Sequence, residues 1–120
     1  MEERVFAFVR GAISSVWELE LLLLLYRTRE RQWTPAELVY QLRASDTVIT
    51  SALRGLRVAD LVTEPERNRF QYNAGVAQRD EIVQTLDAAF RTNPVSVIKM
   101  IAGAPDASLK IFSDAFRFKD

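Results

Sequence analysis

The chain contains neither cysteine nor histidine. That excludes disulfides, thiolate nucleophiles, Cys/His zinc sites and the imidazole general base, leaving carboxylates, lysines, tyrosines and hydroxyls for any chemistry. Acidic residues such as Glu64 and Glu66 show no spacing that would tune one as an acid and another as a base. Glycine, with four residues, forms no phosphate-cradling loop. The expectation is therefore a protein that is not an enzyme and has no catalytic residues, no metal and no cofactor. An excess of one charge is also missing, since Lys plus Arg equals Asp plus Glu at 16 each. The balance is local too: five of each sign in residues 1–33, five of each in 34–73 and six of each in 74–120. A basic excess normally accompanies strong non-specific nucleic-acid binding, and this chain lacks one. Long apolar runs are absent as well. Leu21 to Leu25 falls far short of the about 20 residues that span a bilayer, and Met1-Glu2-Glu3-Arg4 does not open like a signal peptide. A cytoplasmic protein without membrane contact is expected.

The 48% hydrophobic and 27% charged residues fit one globular unit with a real core. Val5, Phe6, Val9, Ala12, Ile13, Val16 and Trp17 recur at spacings of three and four, one face of a helix, with a break at Gly11 and Ser14-Ser15. Ser15-Val16-Trp17-Glu18 matches a capping box and predicts a second helix from about Val16 to Arg29. Its five consecutive leucines leave no polar face, so it should be a buried central pillar. Arg27, Arg29 and Arg31 then read as a solvated basic helix end, where the helix dipole favours positive charge.

Thr34-Pro35-Ala36-Glu37 is another capping box, with proline at the first helical position, where its missing N–H costs nothing. This helix should end near Arg43-Ala44. Ser45 can cap a further helix running to about Ala59, with Asp46 in its first turn. So short a connection forces a large crossing angle, the helix-turn-helix geometry. Leu61 to Glu64 and Arg69 to Asn73 flank Pro65-Glu66-Arg67-Asn68 and read as a β-hairpin. Helix, turn, helix, strand, strand over Thr34 to Asn73 is the order of a winged helix-turn-helix.

In the 46–59 helix, Val48, Ala52, Leu53 and Leu56 are expected to form the inward seam. Asp46, Thr47, Ile49, Thr50, Ser51, Arg54 and Arg57 would then face outward. Thr47 to Leu56, with the following Asp60-Leu61-Val62, resembles the recognition helix and wing start of bacterial winged-helix regulators of the MarR and related types. With the pillar included, the resemblance covers residues 16–73. It implies a DNA-binding transcriptional regulator that presents the 46–59 helix to the major groove. Thr47, Ile49, Thr50, Ser51, Arg54 and Arg57 would lie on the groove-facing helix, and Arg67, Asn68 and Arg69 at the wing tip would meet phosphate or minor groove. Ile49 could touch a thymine methyl but offers no bidentate hydrogen bond. The alternative is a winged helix repurposed for protein–protein interaction, with Ile49 as an apolar anchor rimmed by Arg54 and Asp46.

Residues 1–73 would thus hold the N-terminal helices and the winged helix-turn-helix, and residues 74–120 a helical extension. Periodicity predicts helices from Val76 to Thr92, from Pro94 to about Gly103, and from Asp106 onward. Their apolar surface exceeds what a winged helix needs to close its core. They either fold back on the same chain or pair with a second copy, and a homodimer through the N- and C-terminal helices is the favoured expectation. Two recognition helices about 34 Å apart would then reach successive major grooves of double-stranded DNA.

Overall fold

A computed structural model describes residues 3–102. Among these, six helices and one two-stranded antiparallel hairpin follow the order α1 (Glu3–Ala12), α2 (Val16–Arg27), α3 (Pro35–Leu42), α4 (Asp46–Val58), β1 (Val62–Glu66), β2 (Arg69–Tyr72), α5 (Ala77–Thr92) and α6 (Pro94–Ala102). The molecule is mainly helical, and the layout of α2 to β2 is compatible with a winged helix. The helix expected from Asp106 lies outside the described residues.

Local chemistry fixes most of the boundaries. Ser15 Oγ accepts the Glu18 N–H at 3.1 Å, as a helix start requires. The Glu18 carboxylate does not return to the Ser15 N–H, however. It accepts from the Ser14 N–H at 3.0 Å and Ser14 Oγ at 2.9 Å, so the box is stretched by one residue. At α3 the reciprocal box is complete, with the Thr34 N–H donating to Glu37 at 2.9 Å and the Glu37 N–H donating to Thr34 Oγ1 at 3.3 Å. Arg43 adopts a left-handed φ of 55° and ends α3, after which Ser45 Oγ caps α4 by accepting the Val48 N–H at 3.1 Å. At the end of α4 another left-handed residue, Asp60 with φ 63°, turns the chain. The Leu61 N–H reaches back to the Leu56 carbonyl at 2.9 Å, so an otherwise orphaned helix-end acceptor is satisfied.

The hairpin pairs Val62 with Tyr72, Thr63 with Gln71 and Glu66 with Arg69, with an irregularity between Thr63 and Glu66. Pro65 falls in that irregular stretch, where its missing N–H leaves no ladder bond broken. An isolated antiparallel bridge to β2 comes from before α3. The Trp33 N–H donates to the Phe70 carbonyl at 2.8 Å, and the Phe70 N–H donates to the Trp33 carbonyl at 2.7 Å. The hairpin is thereby tied to the start of the helix-turn-helix.

The leucine-rich α2 is the pillar. Leu19, Leu21, Leu22, Leu23 and Leu25 are all buried, and α4, β2 and α5 pack around it. Helices α5 and α6 pack on each other and on α1, joining Val83, Leu86 and Val97 to Val5 and Val9 in one core. Up to residue 102 the extension therefore folds back within the chain, the first of the two explanations for its apolar surface.

The basic cluster ending α2 stays partly solvated, as expected of a helix end, but each of its guanidiniums is also partnered. Arg27 Nε donates to Asp87 at 2.7 Å, Arg29 donates to Asp80 at 2.8 Å, and Arg31 stacks 3.6 Å from the Trp33 ring centroid. Asp87 is only 2% exposed and also accepts from Arg91 at 2.9 Å, so the carboxylate that α5 turns inward is matched by charge. The Tyr72 hydroxyl donates to Asp80 at 2.7 Å, while its ring sits edge-on to Tyr26 at 5.5 Å and beneath Arg29. These contacts lock α2, β2 and α5 together.

Burial alone would raise the Asp80 carboxyl, but hydrogen bonds from Tyr72 and Arg29 outweigh it and hold the group below the ordinary aspartate value. Burial, reinforced by the bond to Asp80, pushes the Tyr72 phenol well up, so it remains a donor. Because the folded-state pKa of Asp80 is depressed, its stabilisation is present above the unfolded value and is lost as pH falls through the folded one. Asp80→Asn should therefore lower the thermal midpoint at neutral pH and bring it closer to the parent's as pH falls below about 4, as measured by thermal unfolding between pH 7 and 2.5.

Candidate nucleic-acid interface

Helix α4 presents a largely polar outward face that ends in the exposed Val58. Its buried residues are Ile49, Ala52, Leu53 and Leu56. This overturns the outward placement of Ile49, which is 1% exposed, while Val48 is half-buried. Positions 49, 52, 53 and 56 lie three and four apart and form the single stripe by which α4 packs on α2. Ile49 is therefore a core residue and cannot meet DNA or serve as an anchor for a partner.

With Ile49 removed, the outward side chains are Thr47, Thr50, Ser51, Arg54 and Arg57, all exposed, with Asp46 exposed in the first turn. Threonine and serine hydroxyls both donate and accept, and arginine donates in a planar fork suited to phosphate or guanine. Arg54 has no hydrogen-bond or ion-pair partner among the described residues. Arg57 is committed instead, with Nη1 lying 2.7 Å from Glu64 Oε1 on β1.

Glu64 joins this face to the hairpin. Its second oxygen accepts the Asn68 N–H at 2.7 Å. Asn68, with φ 63°, sits in the left-handed conformation that asparagine tolerates in tight turns. The Asn68 N–H first, and the Arg57 guanidinium second, hold the Glu64 carboxyl below the usual glutamate range. Arg67 and Arg69 are exposed beside it, and Arg69 lies 3.7 Å from Glu66. The structure thus brings Thr50, Arg54, Arg57 and Asn68 around one cleft of about 500 Å³ between α4 and the hairpin, floored by Leu53 and Phe70. Thr47, Ser51, Arg67 and Arg69 are exposed but do not line it.

Sequence reasoning missed Glu64 as the organiser of Arg57 and of the turn. No pattern signals it, because the contact joins residues seven apart across a helix end and a strand. Among the described residues, no group of acidic, histidine or cysteine side chains could hold a metal ion, and no helix is long and apolar enough to cross a membrane. Comparison of the chain with family models, curated proteins and solved structures finds no match.

Proposed function

We propose that this chain is a winged helix-turn-helix protein that binds double-stranded DNA through α4 and acts as a transcriptional regulator, working as a homodimer. The observation that carries the reading is the exposed strip Thr47, Thr50, Ser51 and Arg54, at spacings of three, one and three on a helix capped at Ser45 and seated on the pillar. Reassigning Ile49 to the core removes one apolar side chain from that face and leaves Val58 exposed at its C-terminal end. Hydroxyls and a free guanidinium remain where base edges and phosphates would lie. Arg67 and Asn68 at the hairpin tip extend the face toward the flanking backbone.

Binding to mixed-sequence duplexes, followed by fluorescence anisotropy from 50 to 200 mM salt, tests this. The parent protein should lose affinity steeply with salt. Arg54→Ala should weaken binding severalfold and flatten the salt slope through the lost charge. Absence of salt-dependent binding at low ionic strength would sink the DNA reading.

A second reading, recognition of a protein partner, is favoured by Val58. This α4 side chain is 83% exposed at the edge of the cleft floored by Leu53 and Phe70. Val58→Ser, which removes the apolar group without adding charge, separates the two. The salt dependence of DNA binding should stay the parent's if α4 serves DNA, and capture of a partner in a pull-down should be lost if the cleft serves a protein.

A further inference from the structure

Arg54 and Val58 belong to two clefts at once. The first lies between α4 and the hairpin, and the second, of about 520 Å³, is walled by the end of α1 and the turn after it. At about 100° per residue, Thr50 and Arg57 fall on one flank of the Arg54–Val58 ridge, and Ser51 and Gly55 fall on the other. Helix α4 is thus a ridge with a groove on either side. A helix in the major groove meets bases along its ridge and a phosphate strand on each flank.

We infer that Arg10, at the end of α1, is the phosphate contact on the second flank, opposite Arg57 and the hairpin. This rests on the DNA reading and extends its footprint to a helix outside the helix-turn-helix unit. Arg10 lines the second cleft with Ser51 and Arg54. It is exposed and has no acidic partner among the described residues. Its guanidinium lies 5.1 Å from the Phe6 ring centroid, a cation–π contact that narrows its conformers while leaving its N–H groups free to donate. The acidic residue on this cleft, Glu18, is 7% exposed and turned down onto the Ser14 N–H and hydroxyl, so its oxygens are occupied and the rim presents arginine. Two rim guanidiniums without carboxylate partners suit an anionic backbone, and Ser51 adds a hydroxyl to the same lining.

The test is the salt titration on Arg10→Met, which keeps an unbranched apolar side chain beside Phe6 and removes the charge, and on Arg10→Lys, with thermal unfolding run in parallel. Arg10→Met should lower the magnitude of the log affinity against log salt slope by about 1 per bound protomer and weaken binding equally on duplexes of unrelated sequence. Arg10→Lys should restore the slope, and both should melt with the parent. Arg10→Met binding with the parent's slope, while Arg54→Ala weakens, overturns the Arg10 assignment and leaves the DNA reading standing. A parent chain with no salt-dependent binding overturns both.

Discussion

Ile49→Asp should abolish cooperative folding. The side chain is 1% exposed and packs in the seam between α4 and the pillar, beside Ala52, Leu53 and Leu56. An ionised carboxylate there finds no cation or hydrogen-bond donor among the buried residues of that seam, and escape would require α4 to roll away from α2. Loss of the apolar burial and introduction of an unpaired charge together exceed about 4 kcal/mol, comparable to the roughly 5–15 kcal/mol that holds a small domain together. Circular dichroism on heating should show no sharp transition, or one lowered by tens of degrees. Thr50→Asp, one residue along and exposed, is the control: it should fold as the parent does and lose DNA affinity. A variant Ile49→Asp that melts with the parent would refute the assigned phase of α4.

That phase was within reach of the sequence. The stripe Val48, Ala52, Leu53, Leu56 requires spacings of four, one and three, whereas Ile49, Ala52, Leu53, Leu56 gives three, one and three, the tighter fit to a 3.6-residue period. Val48 and Ile49 are adjacent and both apolar, so the seam can be drawn through either, and a shift of one residue rotates a helix by about 100°. Boundaries, by contrast, were legible wherever a short-range hydrogen bond sets them. Ser15, Thr34 and Ser45 all cap as read, because a serine or threonine hydroxyl within three residues of an amide needs no tertiary context. The pillar was legible for a different reason, since five leucines in a row leave a helix nowhere to stand but inside.

What escaped the sequence were contacts between residues far apart in the chain. Arg27 and Asp87 are 60 positions apart and Arg29 and Asp80 are 51, and a local charge pattern at a helix end cannot distinguish a solvated arginine from a paired one. The Trp33 to Phe70 bridge is invisible likewise, because a single extended residue has no periodicity. Such contacts still bear on the proposed function. Through Trp33 and Phe70 the hairpin is tied to the start of α3, through Tyr72 and Asp80 to α5, and through Glu64 to α4. Three elements therefore fix the angle between hairpin and α4, the geometry a duplex would have to match.

Gly55→Ala should destabilise the fold by about 2 kcal/mol, even though alanine is the better helix former by about 1 kcal/mol. An added Cβ would lie 2.3 Å from Glu18 Oε2 and 2.8 Å from Glu18 Cδ, inside van der Waals contact, so the carboxylate must move. Elsewhere a flexible glutamate would swing away at little cost. Here it is almost buried and accepts both the Ser14 N–H and the Ser14 hydroxyl, the bonds that anchor the turn between α1 and α2. Displacement forfeits charge-assisted hydrogen bonds worth about 1.5–3 kcal/mol each and leaves a backbone donor without its partner. The glycine thus allows α2 and α4 to close on one another with Glu18 between them. A double-mutant cycle measures this directly. Glu18→Ala removes the obstructing group, so Gly55→Ala made in that background should cost nothing, or gain stability through helix propensity. Equal costs in both backgrounds would mean that the collision lies with the backbone of α2, and Glu18 would lose its place as the residue that Gly55 accommodates.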